Sequence, residues 1–214
     1  MPSKDDIDIM VITREMLFYR GAYFNGFMSV LDAKADYEQR VNKLHKFMRR
    51  GDAENNTEYK QPIPFVVPIK RREGKVFTSE YGGHEGRLIK KITIASMGHI
   101  EKCDTYGSNL LLEAAKREFF EELTVTGIDN PERKLVPVPF GYINVEDDAT
   151  GKFHFGFAYL ILADGFEIKA REDSIINPKF MHVRNLEEKC KSGEVDLCSW
   201  SKATLPKLIS YLGC

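Results

Sequence analysis

One stretch, S-N-L-L-L-E-A-A-K-R-E-F-F-E-E-L-T-V from Ser108 to Val125, restricts the fold of this chain more than any other. It holds no Gly or Pro and is rich in Leu, Ala, Glu, Lys and Arg, so it reads as one helix. Ser108 is placed as its N-cap, with a hydroxyl able to accept from an orphan N–H of the first turn. Leu112, Ala115, Phe119 and Leu123 recur at helical spacing and make a core stripe. Glu118, Glu121 and Glu122 stand at i, i+3 and i+4, so their carboxylates leave one strip of the surface. Like charges held that close repel. Arg117 offsets part of the repulsion, with Glu113 and Glu121 a helical turn to either side of it. A hard divalent cation, which prefers oxygen ligands, would offset the rest. Taken alone, E-x-x-E-E is more often the pattern of a solvated helix face.

The longer run R-E-F-F-E-E-L-T-V, led by a strand ending in M-G-H-I (Met97 to Ile100), resembles the Nudix hydrolase signature, G-x5-E-x7-R-E-U-x-E-E-x-G-U with U a bulky aliphatic or similar residue. Arg117, Glu118, Phe119, Glu121, Glu122 and Val125 fall in register with its second half. Three positions depart from it. Asn109 takes the place of the first glutamate, which in the family braces the arginine. Thr124 stands where glycine is usual, with Gly127 close behind. Gly98 lies further upstream than the motif allows, and counting forward from it puts Asp104 at the first acid.

The resemblance implies a Nudix-type α/β/α sandwich with a curved mixed sheet, and hydrolysis of a phosphoanhydride in a nucleoside diphosphate derivative. It implies Mg²⁺ or Mn²⁺ held by Glu118, Glu121, Glu122 and the Gly98 carbonyl, with Arg117 orienting Glu121. Glu121 is the motif candidate for the base, and Glu146, Asp147 and Asp148 are candidates on a later acidic turn, as is Glu101 beside G-H-I. Arg87 and His99 are the expected substrate contacts; Lys90, Lys91, Arg71, Arg72 and His154 are further candidates. Phe24, Tyr142 and Phe155 could stack on a base, although each also fits a core. A second reading stays open, in which the altered frame marks a Nudix-like nucleotide-binding or regulatory domain without turnover. Family members often pair, which implies a homodimer.

The rest of the chain sets bounds. Its 214 residues suffice for a full core, with 29% charged and 43% hydrophobic residues. A formal net charge of −1 gives no reason to expect a nucleic-acid polymer or an anionic membrane as partner. The start, M-P-S-K-D-D-I-D-I-M, is not a signal peptide, and no apolar run approaches the ~18–20 residues of a membrane span. Cys103, Cys190, Cys198 and Cys214 lack a C-x-x-C pair or zinc spacing and read as cytosolic thiols, so a cytoplasmic protein is expected.

Residues 1–60 read as an N-terminal addition packing on a main domain of residues 61–214. Ile7 to Thr13 and Met16 to Tyr19 suggest a strand pair turning at Arg14-Glu15, and Tyr37 to Met48 a helix. Gly51 to Lys60 reads as a loop, and Pro62, Pro64 and Pro68 favour an edge or bulged strand. Tyr81 to Leu88, with three glycines, is a loop, and Ile92 to Met97 a strand. Strands over Leu135–Val145, Phe153–Leu162 and Lys179–Val183 and a helix over Arg184–Lys191 follow. Asp196 to Tyr211 is helical, with Leu197, Trp200, Leu205 and Leu208 buried and Pro206 expected to break, kink or restart it.

Overall fold

A computed structural model describes residues 3–81, 91–106, 109–147 and 151–213. The chain forms two compact units. The first gathers Met1–Phe65, Met97–Ala115 and Pro139–Ala158; the second gathers Val66–Ser96, Lys116–Val138 and Tyr159–Cys214. In chain order the elements are strand β1 (Asp8–Thr13), helix α1 (Arg14–Leu17), β2 (Gly26–Ser29), α2 (Tyr37–Leu44), β3 (Lys46–Arg49) and α3 (Arg50–Ala53). Next come β4 (Tyr59–Lys70), β5 (Lys75–Tyr81), β6 (Ile92–Thr93), β7 (Ser96–Met97), α4 (Leu110–Glu122) and β8 (Leu123–Thr126). Then follow α5 (Pro131–Lys134), β9 (Val138–Asn144), β10 (His154–Leu162), β11 (Glu167–Ala170), β12 (Ile175–His182), α6 (Val183–Lys191) and α7 (Ser199–Leu212).

In the first unit β1 is buried along I-M-V-I, as a strand covered on both faces should be. It pairs antiparallel with β3, Asp8 opposite Arg49 and Val11 opposite Lys46, and with the start of β4 at Ile12–Lys60. The expected turn at Arg14-Glu15 is instead the helical turn α1, because Thr13 caps it by accepting from Met16 N–H. Helix α2 stops at Leu44 rather than Met48. His45 turns extended there, and Lys46–Arg49 is claimed by pairing with β1, which outweighs its modest helix propensity. The expected loop after Gly51 carries part of α3 and the start of β4. Strand β2 pairs with β9, where Gly141 leaves room for the Phe27 ring; a Cβ there would sit 2.3 Å from it. Phe18, Phe24, Tyr37, Tyr142, Phe155 and Phe157 form one aromatic cluster with ring centroids 4.8–6.2 Å apart. The Tyr37 hydroxyl donates to the Ala22 carbonyl at its edge.

Strand β4 is buried and hydrogen-bonds on both sides, so it is not an edge. Successive backbone N–H groups of a strand point to opposite sides. Pro62, Pro64 and Pro68 therefore all lack a donor on the same side. The other side keeps its ladder, with Gln61 N–H donating to Phe153 O in the first unit and Ala163 N–H to Ile69 O in the second. On the proline side β4 pairs with β1 at Tyr59–Lys60 and with β5 at Ile69–Lys70. Placing the prolines between those pairings keeps the strand interior.

In the second unit β5 pairs with β12 and β6, and Gly74, at φ 62°, closes the turn before β5. The strand expected over Ile92–Met97 is split into β6 and β7, with Thr93 Oγ1 bonding Ala95 between them. Helix α7 runs unbroken through Pro206, whose ring lies on the exposed side, and buries Trp200, Leu205, Leu208 and Ile209. No helix among the described residues is long and apolar enough to cross a membrane.

Candidate functional site

Helix α4 carries the carboxylate strip. It begins at Leu110, with Asn109 as cap: Asn109 Oδ1 accepts from Leu112 N–H at 3.3 Å and its carbonyl from Glu113 N–H at 3.0 Å. Ser108 lies outside the described residues. Asn109 Nδ2 also donates to Glu38 Oε1 at 2.6 Å. The residue that departs from the signature is therefore a helix cap tied to α2. Asp104, the other candidate for the first acid, is buried and closes its own turn by accepting from Glu101 N–H at 2.8 Å.

The buried stripe of α4 is Leu111, Ala114, Ala115 and Phe119; Leu112 lies beside it. The helix does not reach Val125. It ends at Glu122, and Leu123–Thr126 forms β8, paired with β11 from Ala170–Leu123 to Glu167–Thr126. Arg171, just past β11, donates its N–H to Glu122 O at 2.8 Å and its guanidinium to Phe120 O at 2.7 Å. Two orphan carbonyls of the last turn are thereby met, the second by a cation, which suits the negative end of the helix. Thr124 stands in a strand that favours β-branched residues. Gly127, at φ 89°, turns the chain after β8 and does not end the helix.

The three glutamates differ in setting. Arg117 Nη1 donates to Glu118 Oε1 at 2.8 Å and to Glu121 Oε2 at 2.9 Å, so these two carboxylates converge on one nitrogen. The Glu118 and Glu121 side chains are 13% and 53% exposed, and Glu122 as a residue is 8% exposed. Among the described residues no three His, Cys, Asp or Glu side chains form a ready metal cluster. A converging carboxylate pair still fits Mg²⁺ or Mn²⁺. Mg²⁺ in particular keeps several waters and takes one or two carboxylates, with substrate phosphates supplying further oxygens.

A second polar cluster occupies the first unit. Lys60 is fully buried, yet its ammonium reaches Gly151 O at 2.6 Å, His154 O at 3.2 Å and Glu146 Oε1 at 2.9 Å. Arg14 Nη1 meets the same Glu146 oxygen at 2.8 Å. Burial raises the Glu146 pKa, but the hydrogen bonds and charges of Arg14 and Lys60 outweigh it and hold the carboxyl below the ordinary glutamate range. Glu146 is thus a poor proton acceptor at neutral pH and acts as the anchor of its turn. Beside Lys60, Gln61 Oε1 lies 2.7 Å from His99 Nε2. The carboxamide oxygen accepts in this contact when His99 carries its proton on Nε2. The His99 and His154 rings stand 5.6 Å apart.

The remaining candidates sort plainly. Phe24, Tyr142 and Phe155 belong to the aromatic core, where burial pushes the Tyr142 phenol up to about 12. Arg71 and Arg72 are exposed at the turn before β5, and their N–H groups bond Asp164. Gly98 falls in the first unit after β7. Arg87, Lys90, Asp148, Cys214 and most of the glycine loop from Tyr81 lie outside the described residues. Lys60, Gln61 and Arg14 are contributors that motif reading passes over. The available signal is a lysine and a glutamine opening the apolar strand P-I-P-F-V-V-P-I.

No family model matches the chain. It is 35% identical to Protein YmaB of Bacillus subtilis (strain 168) over 192 residues, spanning 86% of this chain and 90% of that protein. The crystal structure of Tm1382, a candidate Nudix hydrolase, superposes with a TM-score of 0.74 over 95% of this chain and 99% of its own, at 22% identity. The chain belongs to the YmaB family, and its fold is the Nudix fold. The Nudix hydrolase of Alicyclobacillus acidocaldarius aligns over 71% of this chain and 91% of its own at a TM-score of 0.54 and 12% identity. A bifunctional NMN adenylyltransferase/ADP ribose pyrophosphatase of Francisella tularensis, crystallised with AMP and a manganese ion, also scores 0.54, over 72% of this chain and 42% of its own at 15% identity. The α/β class and the Nudix family read from R-E-F-F-E-E thus hold at the level of fold.

Proposed function

We propose that this protein is a metal-dependent Nudix hydrolase that cleaves a phosphoanhydride in a nucleoside diphosphate derivative. The observation that carries the reading is the convergence of Glu118 and Glu121 on Arg117, inside an R-E-F-F-E-E helix of a Nudix-fold protein. Glu118 and Glu121 would hold Mg²⁺ or Mn²⁺, with Glu122 and the Gly98 carbonyl joining the set in the sequence pattern. The cation, when bound, neutralises diphosphate oxygens and lowers the pKa of a water. Arg117 positions Glu121 and tempers repulsion between the carboxylates when the cation is absent. Glu121, the more exposed of the bonded pair, is the proton acceptor within the motif. His99 contacts substrate, as does Arg87. Residues 61–214 hold every residue given a part in the reaction, and residues 1–60 pack on them. We take the protein to be cytoplasmic and to pair as a homodimer.

The test is Mg²⁺- and Mn²⁺-dependent turnover of ADP-ribose, dinucleoside polyphosphates, nucleotide sugars and nucleoside triphosphates, with Glu121→Gln and Glu118→Gln beside wild type. The expected result is turnover that needs the metal and falls on the order of 100-fold in each variant. Turnover indifferent to both changes would remove the site. One observation favours a second reading, a Nudix-fold nucleotide-binding domain: the described residues hold only two converging carboxylates. Binding without turnover across the panel would select it.

A further inference from the structure

Strand β2 ends its sheet, with β9 on one side and no strand on the other among the described residues. Val30 N–H donates to Phe140 O at 3.2 Å, one step past the pairing of Ser29 with Gly141. Hydrogen-bonded pairs alternate along an antiparallel ladder, so Met28 and Gly26 bond β9 as well. Phe27 and Ser29 therefore turn their N–H and C=O groups away from it. The Ser29 carbonyl accepts from Asp32 N–H at 3.1 Å, and the Ser29 hydroxyl donates to Asp32 Oδ2 at 2.6 Å, which closes the strand. The Phe27 and Ser29 N–H groups and the Phe27 carbonyl have no partner among the described residues.

A strand edge is normally guarded by a charge, a proline or a bulge. Strand β12, at the other end of the sheet order, carries Pro178, Lys179 and a register shift between Ile176 and Lys179. Strand β3, paired only with β1, carries Lys46 and Arg49. The run G-F-M-S-V-L from Gly26 to Leu31 has none of these, and Leu31, just past β2, is 93% exposed. Exposed Tyr19 and Tyr23 precede it, of a residue type enriched in interfaces. Charge selects what lies along the edge. The first charged residue before β2 is Arg20 and the first after it is Asp32, both exposed. A second β2 laid parallel would set like charge beside like. Laid antiparallel, it brings each Arg20 end to the partner's Asp32 end, and opposite charges across strands attract.

We propose that β2 is a dimerisation edge, pairing antiparallel with β2 of a second copy of this chain about a two-fold axis at Met28. Phe27 N–H then meets the partner's Ser29 carbonyl and Ser29 N–H the partner's Phe27 carbonyl, and the axis repeats both bonds. An edge that is its own complement closes the assembly as a dimer. The inference names the surface of the homodimer taken above and rests on that reading, and it draws on no residue of the carboxylate helix.

The experiment is sedimentation velocity of the full chain over a range of concentrations, for wild type, Ser29→Pro and Leu31→Arg, with thermal unfolding of each. Proline removes the outward N–H of Ser29, and arginine at the exposed Leu31 faces the partner's Arg20 end without entering the core. The expected result is a wild-type dimer whose dissociation constant rises at least tenfold in each folded variant. Cross-linking reads the register directly. Opposed Met28 positions would lie about 4.5 Å apart between Cα atoms, within disulfide reach. Under a mild oxidant Met28→Cys is therefore expected to cross-link between chains faster than Leu31→Cys, although Leu31 is the more exposed, with wild type giving the background from native thiols such as Cys103. A dimer unchanged in Leu31→Arg, or Met28→Cys that cross-links no faster than Leu31→Cys, overturns the β2 edge and leaves the homodimer standing. Wild type that stays monomeric at every concentration overturns the edge and the homodimer together.

Discussion

Glu146 shows what a residue's neighbours can do to a role its sequence suggests. In E-D-D it looks like one of three equivalent acids on a turn. In the fold it is 22% exposed and held by Arg14 and by the fully buried Lys60. Removing its charge would take one counter-charge from a buried ammonium, which costs about 3 kcal/mol. Glu146→Gln is therefore expected to lose that much in urea unfolding at pH 7. The pH dependence follows from the depressed folded pKa. A carboxyl whose pKa falls on folding stabilises fully above its unfolded pKa, and that contribution disappears as pH drops through the folded value. Wild type and variant should therefore converge in stability as the pH falls below that folded value. A gap that stays the same size from neutral pH down through that range would show that shape, not charge, joins these residues. Neither Lys60 nor Gln61 was legible, since their meaning comes from partners far along the chain. Glu118, Glu121 and Arg117 were, because their contacts lie within one helical turn.

At the scale of elements, legibility follows the range of the forces involved. Helix α4 was visible in its periodicity, but its ends were not. Asn109 instead of Ser108 defines its start, and pairing of β8 with β11 defines its end. The helix over Tyr37–Met48 was overrun for the same reason, since pairing with β1 leaves no mark on K-F-M-R itself. Thr124 gives a test. If its departure from the usual glycine were damage, Thr124→Gly would repair the site. If the strand is what ends the helix, glycine should cost about 1 kcal/mol by weakening β8 opposite Lys169. We expect the second outcome, with Mn²⁺ affinity of the folded protein unchanged or lower. Tighter Mn²⁺ binding in Thr124→Gly would restore the view that the motif has decayed. The cap offers a companion measurement: Asn109→Ala should cost ~1 kcal/mol in chemical denaturation.

For the molecule as a whole, the question is whether residues 1–60 are an appendage or part of a core. They supply three strands and the rings of Phe18, Phe24 and Tyr37 to the first unit. Those rings pack on Tyr142, Phe155 and Phe157, contributed by β9 and β10. Each aromatic buries ~150–250 Å², and at ~25 cal/mol per Å² exposing Tyr142, Phe155 and Phe157 would forfeit on the order of 10 kcal/mol. That is comparable with the whole stability of a typical domain, ~5–15 kcal/mol. Residues 61–214 expressed alone would also lose Arg14 and Lys60 and leave Glu146 without either cation. The truncated chain is therefore expected to bind a hydrophobic dye and unfold without a cooperative transition. A second version with Tyr142, Phe155 and Phe157 replaced by smaller polar residues should lose the dye binding without regaining cooperativity. A sharp thermal transition in residues 61–214 alone would make the N-terminal segment a true addition, resting on a domain that folds without it. Tm1382 aligns over 95% of the chain, so it shares most of residues 1–60, and the truncation tests whether that shared segment is needed for the core it packs on.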